Sequence, residues 1–130
     1  MMLTLNEIKE AHARIAPYIE QTPLLRLRNL DEYLGCQVYG KPECLQITGS
    51  FKLRGALNKV LSLSKDELEG GIVAASSGNH GKAIAYAAQM LGVRATIVLP
   101  YGAAKIKVDT IRKWGAEIVQ CDVAERFAVA

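Results

Sequence analysis

The chain has 130 residues, 50% of them hydrophobic and 22% charged, enough for one ordinary domain with a real core and too apolar for a disordered segment. Sixteen basic residues against thirteen acidic leave a formal charge of only +3, with the cations scattered and few aromatic rings for stacking, so nucleic acid is a poor partner. Cys36, Cys44 and Cys121 are too far apart for a disulfide framework or a zinc site, no run reaches membrane-spanning length, and the start turns polar too soon for a signal peptide. A reducing, cytoplasmic protein without membrane or metal is expected.

In chain order, "TLNEIKEAHARIA" places Leu5, Ile8, Ala11 or His12, and Ile15 at helical spacing. Thr4 and Glu7 form a capping-box pattern at its start, and Pro17 ends it. "QTPLLRL" reads as extended, because Pro23 pushes Thr22 out of the helical region. "LDEYLGCQVYGKPE" predicts a short helix closed by Gly35, then a strand around Cys36 to Tyr39. Ser50 is a candidate cap for a helix whose apolar face is Phe51, Leu53, Ala56, Leu57, Val60 and Leu61.

From there the pattern is regular. "GIVAAS", "ATIVLP" and "AEIVQC" are short apolar strands. Between them lie two helices, "GNHGKAIAYAAQMLG" ending at Gly92 and "AAKIKVDTIRKWG" ending at Gly115, the latter with Ile106, Ile111 and Trp114 expected inward. Strand, helix, strand, helix, strand predicts an α/β fold: a parallel three-layer αβα sheet with right-handed crossovers, preceded by an N-terminal helix and an extended segment. "CDVAERFAVA" starts as a further helix, with Asp122 as cap and Glu125 three residues later, and stops after about two turns. A sheet ending on an unfinished helix reads as the N-terminal portion of a longer protein. Apolar surface left open by a missing remainder should then make the isolated chain self-associate or stay partly unfolded.

Two places can carry chemistry. "IVAASSGNHGKAIAYA" is a strand, a polar loop and a helix start, where free N–H groups and the helix dipole favour an anion; Ser76, Ser77, Asn79 and His80 add side-chain donors there. Each alone suits a plain helix cap; four in a row between two glycines point to an anion or cofactor site. It is not a P-loop, since Gly81-Lys82 is followed by Ala83 and Ser76 stands five positions before Gly81, and G-x-G-x-x-G occurs at no strand–helix turn. The second place is Lys52, at a helix start beside Phe51, where an amine can serve as a Schiff-base nucleophile. Its local pattern equally suits a lysine whose stem packs on the core while its ammonium reaches water.

Together, "TGSFKLRGALN" and, about 25 residues later, "SSGNHG" resemble the fold-type II (tryptophan synthase beta-like) pyridoxal-phosphate enzymes, within them the threonine/serine dehydratase and serine racemase group. "TPL", "KPECLQ", "GVRATIVLP" and "IRKWGAEIVQC" echo the same family, and the likeness spans nearly the whole chain but under half of a typical member. The resemblance implies that Lys52 holds pyridoxal 5'-phosphate covalently and then serves as acid/base. It also implies that Phe51 lies near the pyridine ring and Asn79 hydrogen-bonds the 3-hydroxyl. Ser76, Ser77, Asn79 and His80 would bind the substrate carboxylate. Ser77 matches the position that acts as acid/base on the opposite face in racemases. The family's phosphate-cradling glycine loop, the residue facing the pyridine nitrogen and its metal-binding acids lie later in such proteins and have no counterpart here. Ala104 replaces the usual proline of "PYGAAKIK".

The resemblance further implies a division into residues 1–49, packed on a large domain, and residues 50–130, a small α/β domain. The expected activity is conversion of serine or threonine to a 2-oxo acid and ammonia, with a homo-oligomer as the full-length form. Serine racemase is the alternative within the class. A non-catalytic remnant or partner-binding piece is the alternative outside it, and a binding module without chemistry is a third, one that would not need Lys52.

Overall fold

A computed structural model describes residues 2–76 and 78–130. Helix α1 (Leu5–Ile15) begins as its capping box dictates: Glu7 N–H donates to Thr4 Oγ1 at 3.3 Å and Thr4 N–H to Glu7 Oε2 at 2.7 Å. A 3₁₀ turn over Ala16–Tyr18 holds Pro17 and ends it. Strand β1 (Leu25–Arg26) pairs antiparallel with β2 (Tyr39–Gly40) across α2 (Arg28–Leu34), which closes on Gly35 at φ +65°. The ribbon is held by Asp31, which accepts from Arg26 Nε at 2.8 Å and from Val38 N–H at 2.6 Å. The strand expected at Cys36 to Tyr39 thus starts later, because Asp31 takes the Val38 amide.

The α/β part follows as α3 (Lys52–Leu61), α4 (Lys65–Glu69), β3 (Ile72–Ala75), α5 (Asn79–Leu91), β4 (Ala95–Pro100), α6 (Lys105–Lys113), β5 (Glu117–Cys121) and α7 (Arg126–Val129). The strands form a parallel sheet in the order β3-β4-β5, with Ala74 opposite Ile97 and Ile97 opposite Ile118. Ala95, Ile97 and Leu99 of β4 face a buried cluster that runs through α5 and α3 as far as Ile15 of α1. Val98, on the other face of β4, is buried as well, and α7 lies against β4. The flanking strands are less covered on that second face, where Val73 is 51% and Val119 40% exposed.

Helix α5 is enclosed by α3, α6 and the sheet, which explains its composition. Ala83, Ile84, Ala85, Ala87 and Ala88 are all buried, and small side chains let three neighbours approach one helix. Gly81 is the closest approach, for a Cβ there would sit 3.0 Å from Ile97 Cγ2 and 3.0 Å from the Ser76 carbonyl oxygen. Tyr86 of α5 meets Trp114 edge to face at 4.9 Å.

Four local expectations are corrected. Ser50 does not cap α3: helical geometry already begins at Phe51 (φ −60°, ψ −16°), no side chain caps the helix, and Ser50 Oγ is buried without a partner among the described residues. Phe51 is not on the apolar face; it stands before that face and is 58% exposed, while Leu53, Ala56, Leu57 and Val60 are buried. Ile106 turns outward at 73% exposure, whereas Val108 and Ile111 turn in. Residues 106 and 111 are five positions apart, which puts them about 140° apart around a helix. Asp122 opens a turn rather than capping the last helix; Glu125 precedes α7, which has four residues.

Candidate active site

The chain reaches Lys52 through a tight turn. Gly49, at φ +75°, donates its N–H to the Gln46 carbonyl at 2.7 Å, so Thr48 and Ser50 are drawn inward and α3 starts at Lys52. Lys52 is exposed rather than part-buried, because Phe51 turns outward beside it; its Nζ lies 4.9 Å from the centre of the Phe51 ring. Helix α5 starts across from it. Ser76 Oγ accepts the Gly81 N–H at 2.9 Å and the Gly78 N–H at 3.4 Å, which ties the loop to the first turn of the helix. Asn79 and His80, its first residues, are exposed, and among the described residues neither of their amides finds a partner.

Because α3 packs along α5, the two helix starts open into one shallow depression of about 350 Å³, lined by Phe51, Lys52, Arg54, Gly55, Ala56 and His80. The structure therefore brings Lys52, Phe51 and His80 together. Ser76 acts on the helix start behind them, Asn79 is not among the lining residues, and Ser77 lies outside the described residues.

A polar clamp behind this depression involves residues that sequence reasoning did not single out. Arg54 donates from Nε to Glu43 Oε2 at 2.8 Å and from Nη2 to Glu43 Oε1 at 2.7 Å, a two-pronged contact. Thr22 Oγ1 donates to Glu43 Oε1 at 2.6 Å, and Lys41 Nζ to the Thr22 carbonyl at 2.8 Å. Hydrogen bonding from Arg54, opposed by burial and reinforced by Thr22 and Lys41, holds the Glu43 carboxyl down at about 2. The same bonds raise the Arg54 guanidinium. Gln46 adds a second tie, accepting the Glu20 N–H at 2.9 Å and donating to the Glu20 carbonyl at 3.0 Å. The signal was present in "TPL" and "KPECLQ", which quote Thr22, Lys41, Glu43 and Gln46 without saying what they touch.

The site fits the reacting end of pyridoxal phosphate. Lys52 offers a primary amine with no hydrogen-bond or ion-pair partner among the described residues, an aromatic ring lies beside it, and a helix start opposite can receive an anion. Two buried hydroxyls without partners among the described residues, Thr48 Oγ1 and Ser50 Oγ, line the approach to the lysine in sequence. No group of three or more His, Cys, Asp or Glu that could hold a metal occurs among the described residues.

A parallel α/β unit thus sets an exposed lysine at the start of α3 and the start of α5 across from it. The family model of pyridoxal-phosphate dependent enzymes matches residues 15–130, and the chain belongs to that family, whose cofactor is pyridoxal 5'-phosphate. A serine racemase of Oryza sativa subsp. indica is 44% identical over 92% of this chain and 35% of its own length. An L-threonine ammonia-lyase of Thermotoga maritima is 45% identical over 91% of this chain and 29% of its own. Among solved structures, maize serine racemase superposes with a TM-score of 0.93 at 37% identity, covering 99% of this chain and 40% of that one. The serine racemase of Dictyostelium discoideum gives 0.91 at 43% identity, over 98% and 42%. The chain thus spans about a third of the length of the curated relatives it matches. No helix of the described residues is long and apolar enough to cross a membrane.

Proposed function

We propose that this chain carries the lysine-bearing part of a threonine/serine ammonia-lyase, which converts the amino acid to a 2-oxo acid and ammonia. The observation that carries the reading is the convergence of Lys52, Phe51 and His80 from two helix starts on one depression. When bound, pyridoxal phosphate supplies an electron sink that makes the substrate's α-proton acidic. Lys52 is the residue that would hold the aldehyde carbon and afterwards take that proton. The amides of Asn79 and His80, at the positive end of α5, would receive the substrate carboxylate, and the hydroxyls of Ser76 and Ser77 would contribute to the same role. The Asn79 side chain would meet the cofactor's 3-hydroxyl, and Phe51 would cover one side of the ring. The division near residue 50 belongs to the same proposal, with the earlier segment serving as the brace of the lysine helix.

Relatives named serine racemase match as well as those named ammonia-lyase, at 44% against 45% identity, which supports racemisation of serine as the second reading. The test begins with trapping: the chain is incubated with pyridoxal phosphate, reduced with borohydride and mapped by mass spectrometry, with Lys52→Ala as control. Selective labelling of Lys52 is expected. Serine and threonine are then assayed for 2-oxo acid release and, by chiral separation, for the D-enantiomer of serine. Scattered labelling, unchanged in Lys52→Ala, would overturn the reading in favour of a non-catalytic remnant.

A further inference from the structure

We infer that Arg54, held by Glu43 and Thr22, is a positioning residue for Lys52, an inference that rests on the function proposed above. The first turn of α3 needs such a device. Among the described residues no side chain caps it, Ser50 Oγ is turned inward without a partner, and Lys52 Nζ has no hydrogen-bond or ion-pair partner, lying 4.9 Å from the Phe51 ring centre. Burial of Leu53, Ala56, Leu57 and Val60 fixes which face of α3 meets the core. Apolar contact is non-directional, so it leaves small sliding movements of the first turn along its axis weakly specified.

Arg54 supplies the direction. Its planar guanidinium makes two near-parallel bonds to one carboxylate at 2.8 and 2.7 Å, and a fork of that kind defines an orientation where a single point charge would not. The carboxylate is itself held: Thr22 donates to it at 2.6 Å, and the Thr22 carbonyl in turn accepts from Lys41 Nζ at 2.8 Å. Arg54 lies two residues from Lys52 and lines the same depression, and it also lines the neighbouring cavity with His12, Thr22 and Lys41. The clamp therefore joins the segment "TPL", the segment "KPE" and the lysine helix into one rigid frame. Its consequence is that the backbone of Lys52, from which the amine reaches out, is held at a fixed place beside the α5 start.

The test uses the 130-residue chain and reads cofactor trapping rather than turnover. Arg54→Gln, Arg54→Lys and Glu43→Gln are compared with the parent for the ratio of label on Lys52 to label on the other lysines that all four proteins share. Val60→Ala, which loosens α3 in the core without touching the clamp, is the control for lost stability. Arg54→Gln is expected to lower the ratio about tenfold, since small misplacements of a reacting group cost this much or more. Arg54→Lys and Glu43→Gln should fall between it and the parent, and Val60→Ala should keep the parental ratio at a comparable loss of stability. If Arg54→Gln does not fold, the two conservative variants decide the matter. Parental ratios in the clamp variants, or an equal loss in Val60→Ala, would overturn the positioning role alone. Failure of the parent to label Lys52 would overturn the underlying function and the inference with it.

Discussion

Replacing Glu43 by glutamine removes a charge whose carboxyl is held at about 2 against an ordinary 4.5, and the cost should depend on pH in a defined way. The difference of two and a half units corresponds to about 3 kcal/mol at most, at 1.36 kcal/mol per unit. Glu43 keeps 16% of its side-chain surface, so water screens part of this, and about 2 kcal/mol is the figure to expect. The folded-state value is the depressed one. The contribution is therefore fully present above the unfolded value near 4.5, and is lost as pH falls through the folded value near 2. Urea titrations of parent and Glu43→Gln, followed by circular dichroism at low protein concentration from neutral pH downward, measure the difference directly. The variant should be less stable by about 2 kcal/mol at neutral pH, and the gap should close towards pH 2. Subtraction removes the other carboxylates held low, Glu7 and Glu67, because both belong to exposed capping boxes present in either protein. A gap that stays constant between pH 7 and about 2 would show that the Glu43 charge contributes nothing through Arg54, and would refute the reasoning.

Two further outcomes are expected. Gly81→Ala puts a methyl 3.0 Å from Ile97 Cγ2 and from a backbone oxygen, so it should cost about 1–3 kcal/mol by overpacking, measured by the same titration. Because the strain falls at the start of α5, the substitution should also shift the Asn79 and His80 amide resonances; a neutral change at both levels would show that α5 yields without cost. Leu24, Leu25 and Leu34 are 65%, 47% and 56% exposed within one stretch, so light scattering behind size exclusion should find a mass that rises with concentration. A constant monomeric mass would refute that expectation.

The capping boxes show how local a legible signal is. Thr4 and Glu7 are three residues apart, and their bonds form as the pattern foretells. The same pattern at Ser64 and Glu67 starts α4, an element missed because its five residues show no apolar period. The strands over 72–75, 95–100 and 117–121 were legible because apolar runs bounded by glycine have few alternatives. Ile106 was misread because spacing by five does not keep to one helix face. Phe51 and Ser50 were misread because the turn at Gly49 sets their directions, and a residue's composition class does not say which way a turn aims it.

What the amino-acid sequence determined by itself is therefore the α/β order and the helix stops at Gly92 and Gly115, while Lys52 and the start of α5 were marked only as candidates for chemistry. Each rests on interactions between near neighbours in the chain, which residue type and spacing specify. Only the tertiary structure decided that Lys52 and His80 share one depression, and that Thr22, Glu43 and Arg54 meet behind it across separations of 21, 11 and 32 residues. Contacts of that span depend on how α3 packs along α5 and how the N-terminal segment closes against them, and no local period encodes such closure.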